Sequence, residues 1–240
     1  MTALLRVEGI SKSFRGLKAV SNGSFELSRG TINALIGPNG AGKTTIFNMI
    51  AGVFAPDSGA LFFKDRPIHG LRPDEICSAG IGRTFQIVKP FAGLTVLENV
   101  MVGAFLREKT AAGSRATSLR IIEKLRLKAE QPASTLTLPD RKRLEVARAL
   151  ATRPELLLLD EVMAGLRPTE TDEMVEVFRE LNRSEGTTIL LIEHVMRAVM
   201  ALAGHVGVLH HGEVIARGTP QEIVRDPKVL ECYLGEETEV

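Results

Sequence analysis

The sequence predicts an α/β fold: a mostly parallel, covered sheet preceded by an antiparallel β subdomain and interrupted by an inserted α-helical subdomain. Three observations carry that prediction. "ELLLLD" (Glu155–Asp160) and "TTILLIE" (Thr187–Glu193) are uninterrupted apolar strands, the pattern of a sheet buried on both faces. "TINALI" (Thr31–Ile36) is a further strand, and it runs into a glycine-rich loop followed by a helical segment. Short apolar runs cut by Gly, Asn and Asp turns fill the N-terminal third, whereas helical spacing takes over between Thr95 and Ala151.

In chain order, "LLRVEGISKSF", "GSFELSRG" and "GALFFKDRPI" predict hairpin-forming strands around the buried "TINALI". "KTTIFNMIAG" is the helix after the loop, stopped at Gly52. "TSLRIIEKLRLKAE" predicts a helix with Leu119, Ile122 and Leu125 on one face, and "DRKRLEVARALATRP" another that ends before Pro154. Arg141-Lys142-Arg143 reads as a solvated face of that second helix. After His194 come one helix, a hairpin "VGVLHHGEVIARG" with His210 and His211 at its turn, and a helical tail. No internal repeat is visible.

At 240 residues the chain is long enough for one large domain, or for one domain with a small lobe. A content of 44% hydrophobic and 25% charged residues is that of a globular protein and argues against disorder. The net charge of +1 supplies no global basic field to draw in nucleic acid. Cys77 and Cys232 are isolated and read as small thiols in a reducing cytosol. The opening "MTALLRVEGISKSF" lacks a signal-peptide apolar region, and Val195–Leu209, with Arg197, Gly204 and His205 inside it, is too short to span a bilayer. Work at a membrane would require another chain to supply the membrane part.

Gly37-Pro38-Asn39-Gly40-Ala41-Gly42-Lys43-Thr44 fits GxxxxGK[ST] once. A chance match in a chain of this length is on the order of one in a hundred, and the strand before and helix after lower that further. Glycines let the backbone wrap around phosphates, the loop N–H groups point inward, and the helix N-terminus adds positive partial charge. Lys43 can reach the β- and γ-phosphates, and the Thr44 hydroxyl can ligate Mg²⁺. Asp160 and Glu161 end a buried strand. Asp160 is placed for the Mg²⁺ shell, and Glu161 for a general base or water-positioning group. Glu193 and His194 end another such strand; a lone His there is more often a structural hydrogen-bonder, and only its company raises it above that.

Together these stretches resemble the ATP-binding cassette ATPases of membrane transporters along essentially the whole chain. "GPNGAGKTT" matches the Walker A loop through Thr45, "LLLLDE" the Walker B strand with catalytic Glu161, "TFQ" the glutamine loop through Gln86, and "IEH" the switch histidine His194. Phe14 falls where the family stacks an aromatic ring on adenine, with Val20 near it, and Ala164-Gly165-Leu166 where a loop links two nucleotide sites. "GIGRTFQ", "LTVLENV", "DEVMAGLRP", "LLIEHVM" and "DPKVLECYLG" look like the ATPase subunits of branched-chain amino-acid importers. The resemblance implies a P-loop NTPase (RecA-like) core over 1–94 and 152–240 that carries the β subdomain, with a helical, signature-bearing subdomain over 95–151. It implies ATP and Mg²⁺, the metal held by Thr44, Gln86 and Asp160. It also implies a second cassette, membrane permease subunits and, indirectly, an extracytoplasmic substrate-binding protein. The place of work would be the cytoplasmic face of the inner or plasma membrane, with no nucleic-acid partner.

The family completes each nucleotide site with a partner's signature, usually LSGGQ. Here the aligned stretch is "LTLPD", Leu136-Thr137-Leu138-Pro139-Asp140, in which both glycines are gone. Thr137 and Asp140 can still form a capping box, and Pro139 is tolerated in a first helical turn. Pro139 nevertheless removes a backbone N–H that the family aims at the γ-phosphate, and Asp140 adds negative charge that Arg141 and Lys142 can offset. Each lost charge-assisted bond could cost roughly 1.5–3 kcal/mol. Two expectations stand side by side: pairing with a different cassette whose signature is intact, or a homodimer in which Thr137 and a rearranged backbone suffice. Ile87, Val88 and Phe91, after Gln86, are candidates to receive a helix of the membrane subunit, against ordinary packing at the lobe junction. Among other classes, DNA-repair cassettes carry long coiled coils and translation-factor cassettes two phosphate loops, and neither pattern is present. A small-molecule kinase needs no "LLLLDE" followed by a switch His. A transporter of another solute or of lipopolysaccharide stays open.

Overall fold

The computed structural model describes residues 3–234; residues 1–2, which open "MTALLRVEGISKSF", and 235–240, which take in the last glycine of "DPKVLECYLG", lie outside them. The N-terminal part contains β1 (Ala3–Phe14), β2 (Leu17–Ser28), β3 (Ile32–Ile36), α1 (Lys43–Ile50), β4 (Ser58–Phe63) and β5 (Arg66–Pro67). There follow α2 (Pro73–Ala79), β6 (Ile81–Arg83), α3 (Val96–Ala104), α4 (Ala111–Lys124), a 3-10 turn at Ala133–Thr135 and α5 (Leu138–Ala151). The chain continues through β7 (Leu156–Asp160), α6 (Pro168–Glu185), β8 (Thr188–Ile192) and α7 (Met196–Leu202). It then forms β9 (His205–His210), β10 (Glu213–Gly218), α8 (Pro220–Ile223) and α9 (Pro227–Leu234).

Two sheets result. The first is antiparallel, in the order β2-β1-β4-β5, with β1 and β2 joined by a turn in which Arg15 and Gly16 both have positive φ. The second has the order β10-β9-β3-β8-β7-β6 and is parallel from β9 to β6, with β10 added antiparallel at one edge. Both pure apolar runs are central strands of this sheet and every residue of β7 and β8 is buried. Alternation divides them between two cores. Leu157, Leu159, Ile189 and Leu191 pack with the helices α3 to α7, while Leu156, Leu158, Leu190 and Ile192 pack with α1 and the antiparallel sheet.

The register places the chemistry. Ile192 aligns with both Leu35 and Asp160, and Arg83 with Leu158, so β3, β6, β7 and β8 end along one edge. The loops leaving those ends carry Gly37–Thr44, Gln86, Glu161 and His194. The carboxyl edge of a parallel sheet is where α/β folds gather their ligand-binding residues.

Between the sheet strands β6 and β7, helices α3, α4 and α5 pack on one another and share one continuous core with the parallel sheet. α3 starts at a reciprocal capping box, Thr95 with Glu98. On α4 the expected face is corrected. Ile122 and Leu125 are buried, but Leu119 is 38% exposed. The buried stripe runs through Ser114, Ser118, Ile122 and Leu125, and Leu119 lies beside it. Small hydroxyl residues allow α4 to approach its neighbours closely, a pattern that an apolar-only reading misses.

Candidate functional site

The loop between β3 and α1 is built by backbone that only glycine tolerates. Gly37 (φ 146°) and Gly42 (φ 102°) adopt positive φ, and a Cβ at either would meet backbone: Leu209 O at 2.0 Å and Ala19 O at 2.3 Å respectively. The loop is thus wedged between β9 and β2. Asn39 and Gly40 are exposed at its crest, Pro38 and Ala41 are buried, and Thr44 is exposed at the start of α1 with Thr45 half-buried behind it. Lys43 folds its buried ammonium into the loop, donating to the carbonyls of Gly37 (2.6 Å) and Pro38 (2.7 Å).

Glu161 follows β7 in the left-handed region at φ 50°. Both its carboxylate oxygens are engaged. Gln86 Nε2 donates to Oε2 at 2.6 Å, and His194 Nε2–H donates to Oε1 at 2.7 Å. Three residues predicted from separate motifs therefore meet on one carboxylate. Asp160 is 1% exposed, and burial pushes its carboxyl above the ordinary Asp range while Arg83 pulls it down. Arg83 donates to Asp160 Oδ2 at 2.9 Å and to Asn48 Oδ1 at 2.6 Å. Asp160 Oδ1 is buried without a partner among the described residues.

Thr44, Gln86 and Asp160 line one cavity of about 470 Å³, together with Arg83, Phe85, Glu145 and Arg148. Oxygen donors from Thr and Asp, a carboxylate oxygen with nothing bonded to it, and space for water suit a hard divalent cation such as Mg²⁺. The residues fit that ion.

The signature stretch starts α5. Thr137 is the N-cap and accepts the Asp140 N–H at 3.4 Å. The other half of the expected capping box is rerouted, since Asp140 Oδ2 takes the Thr137 hydroxyl at 2.9 Å instead of the N-cap backbone N–H. Pro139 sits in the first turn, Leu136 is buried and Leu138 is 51% exposed beside Gly165. Phe14 is 42% exposed and packs edge-on against Phe54, with ring centroids 5.2 Å apart. Val20 is fully buried beneath Gly42, so it supports the loop and presents no surface of its own.

Residues 20–164 match the family model for the ABC transporter. The chain belongs to the ABC transporter family. Residues 213–239 match a second model, that of the branched-chain amino acid ATP-binding cassette transporter. Similar proteins include the high-affinity branched-chain amino acid transport ATP-binding protein LivG of Salmonella typhimurium, 42% identical over 97% of this chain and 98% of that one. LivG of Escherichia coli K12 is 41% identical over the same shares, and BraF of Pseudomonas aeruginosa, named for the same transport, 36%. Among solved structures, an ATP-binding cassette of an ABC transporter in its ADP conformation superposes with a TM-score of 0.88 at 32% identity, covering 98% of this chain and 100% of that one. A nucleotide-free cassette gives 0.88 at 31%, covering 97% and 99%.

Two residues of this cassette escaped the sequence reading. Arg83, inside the quoted "GIGRTFQ", holds the Asp160 carboxylate, and its side chain is 7% exposed. A charged residue ending a short apolar strand was the available signal. Lys142 corrects the expected solvated run: it is 6% exposed and donates to Glu161 O at 2.7 Å. Arg143 also turns inward, to Glu173 and Asp140, and of the three only Arg141 is exposed. Lys142 lies four and seven residues before buried Val146 and Ala149, so helical spacing put it on the buried stripe all along.

Proposed function

We propose that this cassette is the ATP-hydrolysing subunit that powers import of branched-chain amino acids through a separate permease. The observation that carries the hydrolytic part is the Gln86–Glu161–His194 cluster at the sheet edge that also bears the phosphate loop. The solute class is supported by the C-terminal match over 213–239 and by relatives named for that transport.

Each residue then has a task. Lys43 exchanges the Gly37 and Pro38 carbonyls for the β- and γ-phosphate oxygens, and the Walker A N–H groups cradle the chain of phosphates. Phe14, exposed at the end of β1, stacks on the base. Glu161 accepts the proton of the attacking water once Gln86 or His194 releases one of its oxygens, and the remaining donor keeps it aimed. Mg²⁺, held by Thr44 and Asp160 with Gln86 within the same cavity, would supply charge neutralisation on the phosphates. Arg83 fixes Asp160 from the opposite side.

The same reading assigns the partners. On this reading, which relatives named for transport support, the cassette works peripherally at the cytoplasmic face and the permease supplies the path; no helix among the described residues is long and apolar enough to cross a membrane. Ile87 (71% exposed) and Phe91 (46%), with half-buried Val88 between them, form the surface offered to a permease helix. A second cassette, of another kind with its glycine signature intact, completes the nucleotide site of this chain. An extracytoplasmic binding protein delivers the solute to the permease. Deleting the gene should abolish uptake of labelled leucine, isoleucine and valine. The wild-type gene should restore it and Glu161→Gln should not. Unchanged branched-chain uptake with loss of another solute would overturn the solute assignment.

A further inference from the structure

We infer that Lys142 and Glu193 are positioning residues that clamp, from two sides, the turn carrying Glu161. The inference rests on the reading of Glu161 as the base. The turn is strained, because Glu161 is a non-glycine residue at φ 50°, and such a conformation persists only when its surroundings over-determine it. The surroundings here are specific. The Glu161 N–H donates to Ile192 O at 2.9 Å, extending the β7–β8 ladder by one residue. Its carbonyl accepts from Lys142 Nζ at 2.7 Å and from the Ala164 N–H at 3.3 Å. Two residues on, the Met163 N–H donates to Glu193 Oε1 at 2.8 Å.

Lys142 and Glu193 are 6% and 1% exposed, and each feels the other's opposite charge, but no ion pair within 4 Å joins them among the described residues. Each directs its buried charged head at a backbone atom of the same short turn. Burying a charged group against a backbone atom is costly unless it satisfies something. What these two satisfy is the peptide groups that set the direction of the Glu161 side chain. Burial holds Lys142 below and Glu193 above their ordinary ranges, the latter to about 7. Their origins give the clamp its meaning. Lys142 comes from α5, the helix that opens with Thr137, and Glu193 from the end of β8, next to His194. The orientation of Glu161 is therefore tied to the helical subdomain through one bond and to the switch-histidine strand through the other.

The test uses three readouts: affinity of the full chain for a fluorescent ATP analogue, ATP turnover of the chain assembled in its transporter, and amide exchange of the full chain followed by mass spectrometry. Lys142→Met should lower turnover at least tenfold, leave analogue affinity within twofold, and speed exchange at 161–166 alone. Glu193→Leu should do the same, and Glu193→Gln, which keeps an oxygen acceptor for Met163, should recover most of the loss. Wild-type exchange at 161–166 in Lys142→Met, or affinity falling as far as turnover, overturns the inference. Where Lys142→Met is too unstable to purify, the Glu193→Leu and Glu193→Gln pair decides alone. Glu161→Gln is run alongside. If it turns over like wild type, the reading of Glu161 fails and the clamp is judged on exchange, which needs no partner cassette. If it is inactive while Lys142→Met is normal in every readout, the clamp fails.

Discussion

At the scale of single residues, the site is held by buried charge whose removal has a computable sign. Arg83 and Asp160 form an ion pair with side chains 7% and 2% exposed. Arg83→Met leaves Asp160 buried without its counter-charge, and breaking such a pair costs about 3–5 kcal/mol. The cost falls on the ionised form, so the deficit shrinks as pH drops and Asp160 protonates. Urea unfolding at pH 8 and pH 5 should show a larger gap between variant and wild type at pH 8; equal gaps would mean Arg83 acts by packing. Glu193 makes a second prediction. Its carboxyl is pushed from 4.5 up to about 7, chiefly by burial. A folded pKa raised above the unfolded one means the native state binds the extra proton, so stability falls as pH rises from 4.5 to 7 and stays low above it. The shift corresponds to about 3 kcal/mol. Glu193→Gln removes that titration, so its stability should change less between pH 5 and pH 8 than that of wild type, by roughly this amount. Taking the difference across pH cancels any constant cost of the amide. Parallel pH curves would show that Glu193 titrates normally.

At the scale of elements, the phosphate loop is the place where sequence dictated geometry most directly. Gly40 and Gly42 both have positive φ, but a Cβ on Gly40 meets nothing within 4 Å, whereas one on Gly42 meets Ala19 O at 2.3 Å. Gly40→Ala should therefore cost only the left-handed backbone term, about 1–2 kcal/mol. Gly42→Ala must also displace the loop, and Lys43 and Thr44 move with it. Titration with a fluorescent ATP analogue should show affinity lost at least 100-fold for Gly42→Ala and within tenfold for Gly40→Ala. Equal losses would show that contact with β2 is not what shapes the loop. The parallel sheet was legible because Leu156–Leu159 and Ile189–Ile192 leave no polar face to expose, and the P-loop because its spacing is tied to one geometry. Less legible were features set by tertiary approach. Leu119 is exposed because α4 buries Ser114 and Ser118, and the Lys142 ammonium finds its acceptor only in a carbonyl across the fold. Arg83 became visible only when β6 paired beside β7 and brought Asp160 within reach. Gln86, Glu161 and His194 were each singled out by resemblance, but nothing in their spacing states that one carboxylate accepts from both of the others.

At the scale of the whole molecule, the cassette is uneven. On the proposed reading, the phosphate loop, Glu161 and His194 are all in place, while the stretch it would lend to a partner, Leu136–Asp140, has Pro139, which lacks a backbone N–H, and Asp140 close by. Helix α5 itself is sound, because Thr137 caps it and Pro139 occupies its first turn. On that reading any deficit is one of recognition and not of folding. A homodimer would place this stretch against ATP twice, and each missing charge-assisted bond weakens closure by roughly 1.5–3 kcal/mol. A heterodimer with a glycine-bearing signature places it there once and leaves the site built on this chain's phosphate loop fully equipped. Light scattering on Glu161→Gln separates the two, because blocking proton abstraction from water should trap any closed pair that ATP can form. With ATP and Mg²⁺ present, the expected result is a chain that binds nucleotide and stays monomeric, then shifts to the mass of a pair when a cassette carrying an intact signature is added. A shift to the dimer mass with this chain alone would mean that Thr137 and the rerouted cap still clasp ATP. The homodimer would then replace the mixed pair as the working unit.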